Sequence, residues 1–215
     1  MKNLRRISLV FLLFISSNFI SMVFCSAQQN IFIEDFETGY DGWERTNGKI
    51  FFPRTQKFIA YEGNYAFRMT GRGNQGYSGR FEHPLDIPLL PNTTFEFAYY
   101  FLWKRVSYIG YQIEFSDGKI GDYFSLFYGM FVNISVAYVV QYKLESSRTW
   151  HVHQVNLYDD YENAFISVPS DLRITSVSLI IGDPYFSNKF QTGFFDSITI
   201  FQDDEKGGKF QVNHV

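Results

Sequence analysis

The 215-residue sequence has a single cysteine, Cys25, and it sits in the N-terminal segment. No intrachain disulfide can form, so a folded domain here must rest on its hydrophobic core, which a chain of this length can supply. Basic charge is not in excess. Lys and Arg total 19 against 22 Asp and Glu, a formal net charge of −3. An acidic chain without a basic stripe argues against nucleic acid and anionic membranes as partners. Beyond residue 27 no apolar run is long enough to span a bilayer. Also missing are a nucleophile elbow, a P-loop, a zincin helix and a Cys-His pair, which removes the commonest catalytic signatures.

Lys2, Arg5 and Arg6 precede the apolar run ISLVFLLFISSNFISMVF, and CSA then offers small residues before Gln28. Residues 1–27 therefore read as a secretory signal peptide cleaved after Ala27. The run is also about the length of a membrane anchor, but its polar interruptions and the cleavage site favour removal. Phe24 before Cys25 does not suit a lipobox. Removal takes the formal charge to −6 and leaves a secreted or cell-surface domain over residues 28–203, with a polar tail, DEKGGKFQVNHV, over 204–215.

Aromatic residues make up 20% of the chain, and short alternating segments bounded by Gly, Pro, Asn and Asp recur throughout. In TFEFAYYFLW, Phe95, Phe97, Tyr99, Phe101 and Trp103 share one face; in YIGYQIEF, Ile109, Tyr111, Ile113 and Phe115 do. Ser116–Gly118 turns the chain. A long alternation spans 130–143, and further strands are expected at 30–37, 64–70, 77–83, 149–157, 174–181 and 193–201. No sustained helical period stands out. The expected fold is all-β, an antiparallel β-sandwich of jelly-roll type. Sequons at Asn92 and Asn133 are acceptors for glycans if the host glycosylates.

The chemistry-bearing residues are few. His83 precedes a proline in an expected turn. His151 and His153 lie two apart on a strand, a spacing that chelates a metal or simply places His153 in the core. Paired acids for glycoside cleavage could come from Glu34, Asp35 and Glu37, from Glu114 with Asp117, or from Asp159, Asp160 and Glu162 in an expected loop. The alternating acids of a retaining glucanase strand are absent. In FFDSITI, strict alternation puts Asp196 on the face of Ile198 and Ile200, where an unpaired carboxylate is costly.

Three segments, IEDFETGYDGW, EGNYAFRMTGRGNQGYSGRF and GFFDSITIF, follow one another, with WHVHQVNLYDDY between the last two. In that order they resemble the secreted jelly-roll carbohydrate-binding modules, the galactose-binding-like sandwiches attached to plant-polysaccharide hydrolases. The resemblance brackets residues 36–201. It implies a structural Ca²⁺ joining the first strand, the loop before GNYAF and the last strand. By position its ligands would be Glu37, Asp196 and a carbonyl near Glu62 or Asn64, with Asp35 as an alternate; hydrogen bonds to Asp196 would serve without an ion.

A sugar site needs an aromatic plane beside hydrogen-bonding groups. Treating 94–103 and 108–115 as adjacent strands, their outward faces offer Glu96 and Tyr100 with Tyr108, Gln112 and Glu114, and Trp150 also points outward. Tyr77 and Arg80 follow the TGR loop, where the related modules place contacts. The expected function is non-catalytic binding of a polysaccharide or glycan. The alternatives are a structural or adhesive surface protein using the fold for protein contacts, and a small jelly-roll lyase or hydrolase.

Overall fold

The computed structural model describes residues 29–47, 49–57, 59–72, 79–102, 108–118, 123–131, 139–141, 148–182 and 190–202. The strands are β1 (Gln29–Glu34), β2 (Glu44–Asn47), β3 (Lys49–Gln56), β4 (Ala66–Arg72), β5 (Gly79–Pro88), β6 (Thr93–Phe101), β7 (Tyr108–Ser116), β8 (Tyr123–Phe131), β9 (Val139–Gln141), β10 (Trp150–Asn156), β11 (Arg173–Gly182) and β12 (Phe190–Gln202), with helix α1 (Leu157–Phe165) between β10 and β11. They form two sheets. The first runs β10-β6-β12-β4-β3, with β1 also on β12; the second runs β2-β5-β11-β7-β8-β9. This is the expected β-sandwich, antiparallel throughout except where β8 and β9 run parallel.

Alternation predicts the core well. Phe95, Phe97, Tyr99 and Phe101 of β6 are buried against Ile109, Tyr111, Ile113 and Phe115 of β7, across the two sheets. Each such side chain contributes about 1.5–3 kcal/mol by leaving water. Aromatic rings fill the interior edge-on: Tyr111 meets Phe95 at 5.6 Å and Phe195 at 5.4 Å. The Tyr111 hydroxyl donates to the Ala98 carbonyl at 2.6 Å, so its polar end is satisfied.

Three expectations are corrected. Segments 94–103 and 108–115 are not neighbours in one sheet, because β6 belongs to the first sheet and β7 to the second. A single strand over 130–143 is excluded, since β8 ends at Phe131 and Phe127–Gly129 pairs in parallel with Val139–Gln141 as a separate strand. Residues 157–165 form a helix rather than a solvated loop. Asn156 caps it by accepting from the N–H groups of Tyr158 (2.9 Å) and Asp159 (3.1 Å), and Asp159 and Asp160 favour its N-terminal dipole. Leu157 and Tyr161 are buried one turn apart, and Tyr161 packs on Phe115 and Phe165.

The decisive irregularity lies in β12. Its first half pairs with β4 through Phe195, and its second half pairs with β1 from Ile198 onward. Between them the register with β6 shifts from Asp196 to Thr199, and Ser197 takes a positive φ of 47°. This bulge changes the phase of the strand. Phe195, Ile198 and Ile200 all reach the core, while Asp196 pairs with Ala98 and faces outward with Phe194. Asp196 therefore does not share the isoleucine face; the inserted residue breaks the alternation that predicted it.

Candidate functional site

Where β1 ends and β4 begins, the edge of β12 is left without a strand partner. Side chains and a loop fill that gap. Asp196 is fully buried there: its Oδ2 accepts the N–H groups of Tyr61 (2.8 Å) and Glu62 (3.3 Å), and its Oδ1 accepts that of Ser197 (2.8 Å). Glu37 Oε1 accepts the N–H groups of Asn64 (2.6 Å) and Tyr65 (2.7 Å). Gly63 has φ 61°, and a Cβ on it would strike the Glu37 carboxylate, so the loop requires glycine there. Glu34 closes the turn from the other side, accepting from Phe36 N–H and Trp43 Nε1, both at 2.8 Å.

The two carboxylates differ in electrostatics. Burial, with a further contribution from the Glu37 charge, pushes the Asp196 carboxyl up to about 6 against the pull of its three N–H donors. The N–H groups of Tyr65 and Asn64 hold Glu37 below its ordinary value. Of the other sequence-stated ligands, Asp35 is exposed and accepts the Glu37 N–H at 3.0 Å. Asn64 offers N–H donors to Glu37, its side-chain amide at 3.4 Å, rather than an oxygen. Among the described residues no three His, Cys, Asp or Glu side chains converge. A cation between Glu37 and Asp196 would thus complete its shell with backbone carbonyls and water, a donor set that hard cations accept. The charge balance fits, since buried Asp196 feels the charge of the solvent-facing Glu37 and neither carboxylate has a cationic side chain among its partners in the described residues.

The seven ligand candidates divide between opposite faces. Arg80, Gln112 and Glu114 lie on the outer face of the second sheet; Tyr100 and Trp150 lie on the outer face of the first. Tyr108 opens β7, but its side chain and all of Tyr77 fall outside the described residues. On the second sheet, Arg80 Nη2 meets Glu114 at 2.7 Å and Glu82 at 3.0 Å, and its Nε donates to Ser178 Oγ at 2.9 Å. Gln112 Nε2 donates to Glu114 (3.1 Å) and Ser125 (3.0 Å), and Ser176 Oγ donates to Glu114 at 3.2 Å.

Beside this network one register row crosses all six strands: Asn47, Arg80, Ile180, Gly110, Gly129 and Gln141. Gly110 and Gly129 bring no side chain to it. Neither could carry one, because a Cβ on each would strike backbone atoms of the other strand. The row is a glycine-floored strip bordered by Gln112 and Phe127. Sequence reasoning found the polar groups but not this floor, since facing glycines on strands far apart in sequence become a strip only through register.

His151 and His153 are ringed by aromatics, His151 against Tyr99 (5.3 Å) and Phe101 (5.5 Å), His153 against Phe97 (5.4 Å). His83 lies within β5, packed on Trp43 and Phe32, rather than in a turn. The acidic run Asp159, Asp160 and Glu162 belongs to α1. Asn92 is half-buried in the turn before β6, and Asn133 lies outside the described residues.

No protein-family model and no curated protein matches the chain. Solved structures do. A Clostridium thermocellum N-terminal endo-1,4-β-D-xylanase 10B fragment, a family 22 carbohydrate-binding module joined to a GH10 module and complexed with xylohexaose, superposes with a TM-score of 0.55 at 11% identity, covering 87% of this chain and 30% of that one. The C-terminal family 22 module of the same enzyme gives 0.51 at 13% identity, over 81% and 95%. A xylan-binding domain of the same family from Paenibacillus barcinonensis gives 0.51 at 10% identity, over 80% and 98%. By fold, the chain is a jelly-roll β-sandwich like these carbohydrate-binding modules.

Proposed function

We propose that this protein is a secreted, non-catalytic carbohydrate-binding β-sandwich that holds a glycan across the outer face of its second sheet. The observation that carries the reading is the glycine-floored row beside the Arg80–Glu114–Gln112 network. Six strands at about 4.8 Å spacing make a strip about 24 Å long, enough for several sugar rings. Gln112 and Ile180 are only 7% and 4% exposed, so the strip is sunk below the surface. Donors and acceptors there are held in place by one another before any ligand arrives, which lowers the ordering cost of binding. The similar modules support the reading, two being described as binding xylo-oligosaccharide or xylan.

Mechanistically, sugar hydroxyls would exchange water for Gln112, Ser125, Ser176 and the carboxylates around Arg80, while a ring lies over the glycine floor beside Phe127. Ca²⁺ would be held by Glu37 and Asp196 with carbonyls of the 61–64 loop, its role being to neutralise two carboxylates and staple β1, β4 and β12. Affinity electrophoresis against xylan, galactan and mixed-linkage glucan tests the site. We expect retardation by at least one, weakened by Gln112→Ala; no retardation by any, or an unaltered variant, would overturn it. Secretion is tested by N-terminal sequencing of the exported protein, expected to begin at Gln28.

A further inference from the structure

The outer face of the first sheet carries a second row that crosses five strands in direct register: Trp150, Tyr100, Phe194, Arg68 and Arg54. Its first half is aromatic. Tyr100 meets Trp150 at 5.6 Å and Phe194 at 5.6 Å, and Phe194 is 2% exposed, forming a floor rather than a platform. The loop residue Tyr61 leans over this half, its ring 5.9 Å from that of Trp150 and itself 39% exposed. Its position follows from the neighbouring row, where Asp196 anchors the Tyr61 N–H and faces the small Ala98.

The second half of the row is cationic. Arg68 and Arg54 are directly opposite each other and make no ion pair among the described residues, although the chain as a whole is acidic. The Nε of Arg68 is buried and has no hydrogen-bond acceptor among the described residues. Leaving a buried donor of a charged group unmet is costly, and two like charges facing across strands are also unfavourable. Asp196 cannot serve as their counter-charge, being taken up by three N–H groups, and Glu96 lies further along β6 opposite Thr199 and Gln154. What is missing is an anion, presented beside an aromatic surface.

We propose that this row is a second saccharide site, distinct from the strip on the opposite sheet, and that its ligand is a sugar bearing a carboxylate or sulfate. The ring packs its C–H face on Trp150 and Tyr61, and the anionic group lies on Arg68 and Arg54, where a planar guanidinium matches an oxyanion in two-point geometry. A neutral sugar would leave both arginines unpaired, so the site discriminates by charge.

Isothermal titration with oligogalacturonate, with a sulfated galacto-oligosaccharide and with the neutral galacto-oligosaccharide tests this, the first two arms separating carboxylate from sulfate. We expect one acidic probe to bind at least about ten-fold more tightly than the neutral one, with affinity falling as salt rises. Arg54→Gln and Arg68→Gln should each weaken that binding about ten-fold or more, and Gln112→Ala should leave it unchanged. Arg54 is exposed, so Arg54→Gln decides the matter even if Arg68→Gln fails to fold. Absence of binding by both acidic probes, equal binding of the neutral probe, or indifference to Arg54→Gln would overturn the proposal. So would sedimentation showing a dimer that Trp150→Ala dissolves, which would give this face to a second copy of the chain.

Discussion

Asp196 Oδ2 accepts the N–H of Tyr61 at 2.8 Å across 135 positions of sequence. One buried side chain thus ties the last strand to the loop that precedes β4. Asp196→Ala leaves three backbone donors without their acceptor, and should lower stability by about 2–4 kcal/mol in urea unfolding. Asp196→Asn, which keeps one acceptor oxygen, should lose less.

Calcium has its own signature. If Glu37 and Asp196 hold the ion, a chelator should lower the melting temperature of the wild type and leave Asp196→Asn nearly unaffected, with recovery on adding Ca²⁺. Identical melts for the wild type with and without chelator would remove the ion and leave the N–H clamp alone.

On the second sheet, Gly129 has φ 139° and faces Ile109 and Gly110 backbone atoms. Gly129→Ala therefore combines an unfavourable backbone conformation with a clash that no rotamer relieves. A loss of about 2–4 kcal/mol is expected by thermal or chemical denaturation.

Glu114 joins Arg80, Gln112 and Ser176. Glu114→Gln should cost only about 1 kcal/mol in stability, since the ion pair is partly exposed. The same change should reduce retardation on whichever polysaccharide the strip binds, because Arg80 loses its charged partner and a single amide oxygen must serve where two carboxylate oxygens accepted from Arg80, Gln112 and Ser176. A fully retained affinity would show that the network supports the sheet and not the ligand.

The pH dependence is clearest on the alkaline side. Burial, with the charge of Asp117, raises the Tyr161 hydroxyl from 10.0 to about 12. Burial and the charge of Asp196 raise that of Tyr111 as well. A phenol whose folded pKa is raised keeps its proton in the fold while the unfolded chain releases one. Its contribution is therefore complete below pH 10 and is lost as pH rises towards 12. Alkaline unfolding followed by circular dichroism should be shallower over this window in Tyr161→Phe than in the wild type.

Alternation made the inward residues of β6 and β7 readable, because one buried face imposes a period of two and aromatic side chains exaggerate it. The helix left a weaker trace. Leu157, Tyr161, Ala164 and Phe165 recur at helical spacing behind an Asn cap, but fewer than three turns cannot outweigh the strand pattern around them. The candidate site was only partly readable. Gln112 and Glu114 stood out as polar outward residues and Arg80 by its place after the TGR loop, whereas Gly110, Gly129, Arg54 and Arg68 carry no local signal of a shared row.

By itself the sequence determined the class of fold, the composition of the core and the importance of Asp196 near its C-terminal end. Tertiary structure alone decided which strands are neighbours, and so separated Tyr100 and Trp150 from Gln112 and Glu114 by the thickness of the sandwich. It also decided which way Asp196 points. The reason is physical: side-chain direction in a strand is a local property until a bulge intervenes, and the bulge here is set by where β4 gives way to β1 along β12, a relation between segments more than thirty residues apart.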